Sequence, residues 1–389
     1  MIVKPVPDFG RKIYCVLGLV IDGVTSAQTI SRIDLAIRQR TRFFLSTPNM
    51  NWITTSRVDS EFRDSVLSSD LSIADGMPLV WAARLIGLPI KRIAGSDLFE
   101  SLMQGRQRQM TVFFFGGPKG TARIACERLN NLGGAMRCNG CKYPGFGPVE
   151  QLSSPSIFEK IARSRADILC VSLGAKKGQL WISRNETRIT SSVVWHCGAV
   201  VNFVAGTITR SPGLLSRFGF EWLWRIKEEP GLWRRYFADM VTLASLLICR
   251  VIPCAAHQMI NRPAESDLQL ARLDVLRSEL LYTLRFSGPW TERNLGPVRD
   301  ALQQAAEHSA DLELDLENLT YADAAFFGII MIACGYQIRT RCGFAVRSIS
   351  KRGRRIMWLH GCEFLLDVQC DRIDVQFDRR IGERAHQQA

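Results

Sequence analysis

Short, uninterrupted apolar runs recur along the first 210 residues and alternate with segments of helical periodicity. The runs are rich in β-branched and aromatic side chains, which favours strands. Because they are continuous and do not alternate with polar residues, both faces of each strand are expected to be buried, as in a parallel sheet covered by helices. The predicted strands are Ile13–Val20, Phe43–Ser46, Leu71–Ala74, Val112–Phe115, Ile168–Leu173 and Val193–Val201.

Amphipathic segments lie between these strands. They predict helices at Thr29–Arg40, Pro78–Gly87, Gly120–Leu132 and Ser156–Arg165. Alternating strands and helices indicate an α/β domain with a doubly wound, largely parallel sheet. Ligands bind such a sheet beyond the carboxyl ends of its strands, so functional side chains are expected in the loops that follow the strands.

A second, smaller domain is predicted after a polar, proline-containing stretch. A single core rarely exceeds about 250–300 residues, so two domains fit this length. We predict domains at 1–262 and 274–389, joined by a linker at 263–273. The second domain is predicted to be α/β, with strands at Leu280–Phe286, Leu312–Leu316 and Phe344–Ser348 and helices at Glu292–His308, Ala325–Arg339 and Lys351–His360.

Residues 210–237 interleave basic residues with aromatic ones, including Trp222, Trp224 and Trp233. Arginine matches the geometry of phosphate oxygens, and tryptophan favours sites that are apolar on one side and wet on the other. The stretch therefore suits a phosphate group at a membrane surface. The alternative is an ordinary amphipathic helix with buried tryptophans and a solvated basic face.

The apolar run at residues 237–256 contains Asp239, Arg250 and Pro253, so no uninterrupted stretch approaches the ~20 residues of a membrane span. An interfacial helix is predicted, and a buried terminal helix is the alternative. Residues 207–260 are accordingly interpreted as a helical, membrane-proximal appendage of the first domain.

The formal charge of +13 is distributed unevenly. From Asp274 to the end there are 15 Lys/Arg and 16 Asp/Glu residues, so the positive excess belongs to the first domain. This distribution favours phosphorylated substrates and an anionic membrane as partners. No nucleic-acid-binding signature is found, and nucleic acid is not expected to be a partner.

Twelve cysteines are scattered along the chain, and the N-terminus does not resemble a signal peptide. These features predict a cytoplasmic location with free thiols. Cys138 and Cys141 form a CxxC without a second pair, so a zinc site is not expected.

An ordered set of motifs occurs between about Leu17 and Tyr236. The motifs are Ser46–Asn49, Ala74–Pro78, Arg92–Asp97, Tyr143–Gly145, Gly198–Gly206, Arg210–Pro212, Phe220–Arg225 and Glu229–Tyr236. Together they resemble the WecG/TagA/CpsF family of inverting glycosyltransferases (N-acetylmannosaminyltransferase-like, family 26).

The resemblance implies transfer of a sugar from a UDP-sugar to a polyprenyl-diphosphate-linked saccharide, in exopolysaccharide or cell-envelope synthesis. The enzyme would lie on the inner face of a bacterial membrane, as a peripheral protein. No cofactor is expected, and no D-x-D metal motif occurs within residues 1–273. Arginines are expected to neutralise the diphosphate in place of a metal.

Asp75 is the predicted general base. It follows an apolar strand and precedes Gly76, which places a carboxylate at the carboxyl end of the sheet. Inverting transfer needs one base to accept the proton of the acceptor hydroxyl, and the family assigns this role to the matching aspartate. The alternative is a helix N-cap. Thr47 is expected to contact substrate by family analogy, or else to end its strand in a turn.

Further substrate contacts are predicted in the loops and in the appendage. Gly116 and Gly117 form a glycine turn that could hold a nucleotide phosphate or ribose. The arginines of the appendage are candidates for the diphosphate. The full set is Asn49, Arg92, Gly116, Gly117, Gly174, Gln179, Asn202, Arg210, Arg225, Arg234 and Arg235.

Two departures from the family pattern affect the donor side. Lys176–Gln179 replaces the usual Pro-Lys-Gln-Glu, and Asn202 replaces an aspartate. N-acetylmannosamine therefore cannot be assumed as the transferred sugar. A catalytically idle scaffold in a polysaccharide assembly complex is the alternative function.

The segment Leu312–Gly328 resembles the core of STAS domains, and the resemblance covers about Asp274 to Val375. The family's regulatory serine would follow Asp323, where this chain has Ala324. Without a hydroxyl, phosphorylation at this position is impossible. We therefore expect a module for docking a protein partner or for self-association.

Overall fold

The structure is a computed structural model that describes residues 6–105, 109–209, 212 and 221–368. The strands are β1 (Ile13–Val16), β2 (Leu19–Asp22), β3 (Phe43–Ser46), β4 (Leu71–Ser72), β5 (Met110–Gly116), β6 (Met136–Lys142), β7 (Ile168–Ser172), β8 (Val193–His196), β9 (Arg272–Arg277), β10 (Leu281–Trp290), β11 (Asp311–Ala322) and β12 (Phe344–Ile349). The first nine helices are α1 (Ser26–Gln39), α2 (Met50–Ser56), α3 (Ser60–Leu67), α4 (Met77–Leu85), α5 (Gly95–Gln104), α6 (Thr121–Leu132), α7 (Pro155–Ser164), α8 (Ala175–Arg184) and α9 (Val200–Ala205). The others are α10 (Glu221–Glu228), α11 (Trp233–Leu246), α12 (Ile252–Asn261), α13 (Glu265–Leu268), α14 (Gly296–Glu307), α15 (Ala324–Thr340) and α16 (Lys351–His360).

Residue contacts divide the chain into two compact units. The main unit consists of Gly23–Trp81 and Pro89–Ser245. The composite unit combines three separate stretches: the residues up to Asp22, Ala82–Leu88, and the residues from Leu246 onward. This grouping differs from the predicted division at residues 263–273, because residues at the start of the chain cluster with the C-terminal half.

A six-stranded sheet forms the centre of the main unit, in the order β4-β3-β8-β7-β5-β6. Every neighbouring pair is parallel. Hydrophobic clusters cover both faces, one including Ile33, Leu98 and Leu129, the other including Phe158 and Trp181. The predicted α/β fold with a parallel, helix-covered sheet is confirmed.

Local sequence explains where the elements of the main unit begin. Thr25 caps α1 in a capping box with Gln28, and Asp59 caps α3 by accepting from the backbone N–H of Phe62. The continuous apolar segment Phe113–Phe115 is buried, as expected for a central parallel strand. The predicted strand at Val193–Val201 is shorter than expected, because α9 begins at Val200.

The composite unit contains a four-stranded sheet in the order β12-β11-β10-β9. β10, β11 and β12 are parallel neighbours, and β9 pairs antiparallel with β10. α15 is apolar on every side, and its residues from Ala324 to Gln337 are all buried. Asp323 caps α15 by accepting from the backbone N–H groups of Ala325 and Phe326. The resemblance to STAS domains remains a prediction.

Residues 13–22 form an antiparallel hairpin and do not join the parallel sheet, which corrects the single strand predicted at Ile13–Val20. Both strands of the hairpin are buried, and β1 packs on α15. The backbones approach closely at glycines: a Cβ added at Gly328 would lie 2.9 Å from the carbonyl oxygen of Ile13. Gly18 N–H donates to the carbonyl of His360 at 3.0 Å. The hairpin therefore completes the core of the composite unit.

One long helix includes α11 and α12. It extends from Pro230 to Asn261, is 32 residues long, and contains a π-helical turn at Leu247–Val251. Its length and composition would be sufficient to cross a membrane, which is weak evidence when taken alone.

Cys126 and Cys138 form a disulfide between α6 and β6. This pairing corrects the expectation that both are free thiols. Among the described cysteines, Cys141 of the CxxC remains free.

The close approach at Gly328 generates a stability prediction. Gly328→Ala should lower the free energy of unfolding by about 1–3 kcal/mol, because the added methyl group would overlap the backbone of Ile13 and Tyr14. Urea denaturation of the full chain measures this change. Gly296→Ala is the matched control, since a Cβ there meets no atom within 4 Å. Equal stability of the two variants would contradict the packing argument.

Candidate active site

A cavity of about 610 Å³ opens at the carboxyl ends of the parallel strands. Its walls come from the loops after β3, β4, β5, β7 and β8, and α10 and α11 close one side. All lining residues belong to the main unit. The cavity therefore lies where parallel α/β sheets bind their ligands.

Asp75 lies in the cavity wall, just after β4. Its Oδ1 accepts a hydrogen bond from the backbone N–H of Gly95 at 3.0 Å, and its own N–H donates to the carbonyl of Pro48 at 2.9 Å. Burial raises the pKa of this carboxyl to about 6, while the Gly95 hydrogen bond and the charge of Arg92 oppose the rise. Asp75 is thus a carboxylate at neutral pH with an unusually high proton affinity, as suits a general base.

Thr47 is buried at the end of β3 and lines the same cavity. Its hydroxyl donates to the backbone carbonyl of His196 at 3.1 Å. Thr47 thereby fixes the end of β8 against β3, and its predicted contact with substrate remains a prediction.

His196 lines the cavity and was not predicted from the sequence. Its Nε2 lies 3.1 Å from the carbonyl oxygen of Gly174, and burial lowers the pKa of the imidazole to about 4. A Cβ added at Gly178 would lie 2.5 Å from the His196 ring. The glycine in the altered segment 176–179 therefore provides the space that this histidine occupies.

The predicted arginines fall into different places. Arg92 and Arg225 line the cavity, where Arg92 pairs with Glu221 and Arg225 with Glu229 at 2.8 Å. Arg235 also lines the cavity. Arg234 is exposed outside the cavity and lies over the Trp233 ring. The prediction for Arg210 falls outside the described residues.

Some of the polar and glycine residues that were predicted to contact substrate line the cavity, and others do not. Asn49, Gly117, Gly174 and Asn202 line the cavity. Gly116 does not, but its φ of 101° gives the turn its shape. No described residue donates to Oδ1 of Asn49 or of Asn202. Both amides are therefore available to a ligand.

Gln179 lies outside the cavity, contrary to its predicted contact with substrate. Its side chain is fully buried, and its amide donates to the Ser46 hydroxyl at 2.9 Å and to the Ser65 carbonyl at 3.2 Å. In this structure Gln179 joins α8 to β3 and α3.

Two acidic residues of the helical wall were also missed. Glu221 pairs with Arg92, and Asp239 is buried on α11, where it accepts from the Thr54 hydroxyl at 3.2 Å. Burial raises the pKa of Asp239. An acidic residue inside an apolar helical run was the available signal for Asp239. Among the described residues, no group of three or more His, Cys, Asp or Glu side chains is arranged to hold a metal.

Comparison with known protein families identifies the family of this chain. The model of the Glycosyl transferase WecG/TagA/CpsF family matches residues 14–254, more than half of the chain. The chain belongs to this glycosyltransferase family. The match includes every described residue of the cavity and ends before β9, so the C-terminal sheet lies outside it.

A curated relative of this chain comes from Bacillus spizizenii (strain ATCC 23059 / NRRL B-14472 / W23). It is named N-acetylglucosaminyldiphosphoundecaprenol N-acetyl-beta-D-mannosaminyltransferase. The two chains are 31% identical over 175 residues, which is 44% of this chain and 66% of the relative. The alignment therefore spans just under two thirds of the relative's length.

The raised pKa of Asp75 in the main unit predicts that the free energy of unfolding depends on pH. A carboxyl with a raised folded pKa stabilises the protein below its unfolded pKa, and this contribution is lost as the pH rises through about 6. Asp75→Asn should therefore raise the free energy of unfolding at pH 8 by about 1–2 kcal/mol, allowing for partial exposure to the cavity. At pH 4 the difference should be small.

Urea denaturation at both pH values measures this difference. Glu127→Gln is the control, since the Glu127 side chain is 64% exposed and forms an i,i+4 pair with Arg123 on the surface of α6. A variant no more stable than wild type at pH 8 would contradict the assigned burial cost.

Proposed function

We propose that this protein transfers a sugar from a UDP-sugar to a polyprenyl-diphosphate-linked saccharide, with inversion at the anomeric carbon. The observation that carries the proposal is Asp75, a carboxylate with a pKa of about 6 in the wall of the cavity at the end of β4. Family membership and the activity for which the Bacillus spizizenii relative is named support the reaction class. Exopolysaccharide or cell-envelope polysaccharide synthesis is the corresponding process.

Asp75 acts as the general base in this proposal. The carboxylate accepts the proton of the acceptor hydroxyl while that oxygen attacks the anomeric carbon of the donor sugar. The bond from the anomeric carbon to UDP breaks on the opposite face, so UDP leaves with the bonding electron pair and the configuration inverts. The Gly95 N–H holds the carboxylate in one orientation before the substrate binds.

Cationic side chains on the helical wall are available for the diphosphate groups. Arg225 and Arg235 line the cavity, and each has a planar guanidinium that can bind two phosphate oxygens. Arg92 and Arg225 are already oriented by Glu221 and Glu229. In this proposal these arginines supply the positive charge that stabilises the transition state.

The donor side is proposed to include Asn49 and Asn202, with the glycine turn at Gly117. The side-chain oxygens of Asn49 and Asn202 can accept hydrogen bonds from hydroxyl or amide groups of the nucleotide sugar. Asn202 is uncharged where the family commonly has aspartate, and Gly178 leaves space for His196. These differences alter the donor side, so the transferred sugar need not be the one named for the relative.

A peripheral location on the inner membrane face is part of this proposal. Trp233, Phe237 and Val241 are exposed on α11 at intervals of four residues, so they lie along one side of the helix. Exposed apolar residues beside a cavity with arginines suit a substrate whose lipid stays in the bilayer.

Replacing the base tests the mechanism. Asp75→Asn should bind the UDP-sugar but lower turnover by about 10²–10⁴-fold, because the acceptor proton has no base to receive it. Turnover of the wild type should also fall below pH about 6, where Asp75 becomes protonated. UDP release with polyprenyl-diphosphate sugars, a panel of UDP-sugars and EDTA present measures both effects.

Near-normal turnover of Asp75→Asn would remove Asp75 from the mechanism. A strict requirement for a divalent metal would contradict the role of the arginines. If no UDP-sugar supports release in wild-type protein, the scaffold alternative is favoured.

Adjacent arginines on α11 provide a matched pair of variants. Arg235→Gln should lower kcat/KM for a soluble diphosphate acceptor by about 10–100-fold, the effect of losing a hydrogen bond to a charged group. Arg234→Gln should have little effect on transfer to a soluble diphosphate acceptor, because Arg234 lies outside the cavity. Steady-state kinetics on both variants measures the difference. Equal losses would show that general charge, and not the cavity contact, is responsible.

A further inference from the structure

A concentrated basic surface lies on α16 of the composite unit. Residues 338–362 contain seven Lys or Arg residues and no Asp or Glu, although the C-terminal half is nearly neutral overall. The buried positions of α16 include Ile356, Met357 and Leu359. Its exposed positions are Lys351, Arg352, Arg354, Arg355 and Trp358.

The four basic residues of α16 differ from the arginines of the cavity. Among the described residues, no carboxylate pairs with Lys351, Arg352, Arg354 or Arg355, whereas Arg92 and Arg225 are paired. Their charges are therefore directed to solvent or to a partner.

α16 and α12 lie side by side and run in opposite directions. At one end, Arg250 donates to the carbonyl of Trp358 at 2.5 Å and lies 4.7 Å from its ring. At the other end, the charges of Arg352 and Arg355 reach His257 on α12: burial lowers the pKa of His257, and these two arginines lower it further. The basic face is thus adjacent to the 248–260 segment of the long helix.

That segment exposes an apolar stripe. Ile248, Ile252, Met259 and Ile260 are 67%, 55%, 86% and 81% exposed, and Ala256 lies between them at helical spacing. Exposed aliphatic residues beside unpaired arginines and a half-exposed tryptophan are typical of a membrane-surface helix pair, in which apolar groups enter the lipid and cations contact headgroups. A nucleic acid would use the charges but would leave the aliphatic stripe in water.

We propose that α16 and the 248–260 segment form a membrane-binding surface of the composite unit that recognises an anionic lipid bilayer. None of the residues of this surface lines the cavity, and α16 lies beyond the family match, which ends at residue 254. It needs no sugar transfer, so it can be tested whether or not the proposed function is correct. The composite unit then binds the membrane through charge as well as through apolar contact.

Sedimentation of the full chain with vesicles tests the proposal. One vesicle set contains phosphatidylcholine alone, and the other contains phosphatidylcholine with phosphatidylglycerol. Arg352→Gln/Arg355→Gln should weaken binding to the anionic vesicles by about 25-fold, since each surface charge contributes about fivefold. High salt should reduce the difference between this variant and wild type.

The matched control is Arg272→Gln/Arg293→Gln, which removes two exposed arginines outside α16 and should bind like wild type. Met259→Ser/Ile260→Ser should weaken binding to both vesicle sets with little salt dependence. Circular dichroism establishes that each variant is folded. The proposal is overturned if the α16 variant binds anionic vesicles as wild type does. It is also overturned if a short RNA binds more tightly than the vesicles and the apolar variant retains full vesicle binding.

Discussion

The Asp75 carboxylate is held in a partly desolvated position at the end of a two-residue strand, and the surrounding loops are arranged around it. The N–H of Gly95 at the start of α5 meets Oδ1, and the carbonyl of Pro48 receives the N–H of Asp75. Pro48 belongs to the loop after β3, and Gly95 is the first residue of α5. Parallel pairing of β3, β4 and β8 brings the segments that follow these strands to one edge of the sheet, so the strand register determines the geometry around Asp75.

Charge is used differently in the two units. In the cavity, Arg92 and Arg225 are paired with carboxylates, which orients their side chains and limits the positive potential before an anion binds. On α16, the basic residues have no described carboxylate partner. Paired arginines suit recognition of a defined diphosphate, whereas unpaired ones suit a diffuse anionic surface. The positive excess of the chain lies before residue 274, so the basic surface of α16 is a local feature of a nearly neutral half.

The N-terminal hairpin and the C-terminal half belong to one compact unit. Because β1 packs on α15, the C-terminal sheet shares its core with residues from the start of the chain. The close approach at Gly328 tolerates no side chain without movement of the Ile13 backbone. The unit that contains the C-terminal sheet therefore includes residues from the start of the chain, and a docking role for it remains a prediction.

The sequence by itself determined the α/β class, most central strands and the position of Asp75 after β4, because continuous apolar runs and an Asp-Gly turn are local signals. The sequence did not show that residues 13–22 form a separate hairpin outside the parallel sheet, because this hairpin packs on α15, more than 300 residues away along the chain. β6 was missed because Arg137, Asn139 and Gly140 interrupt its apolar pattern. Similarly, Arg234 and Arg235 are equivalent in sequence, and only the direction of each side chain on α11 places one in the cavity wall. Likewise, the sequence predicted Gln179 and not His196 for the site, whereas His196 lines the cavity and Gln179 does not. Burial and side-chain direction arise from packing between elements, which a local sequence pattern does not encode.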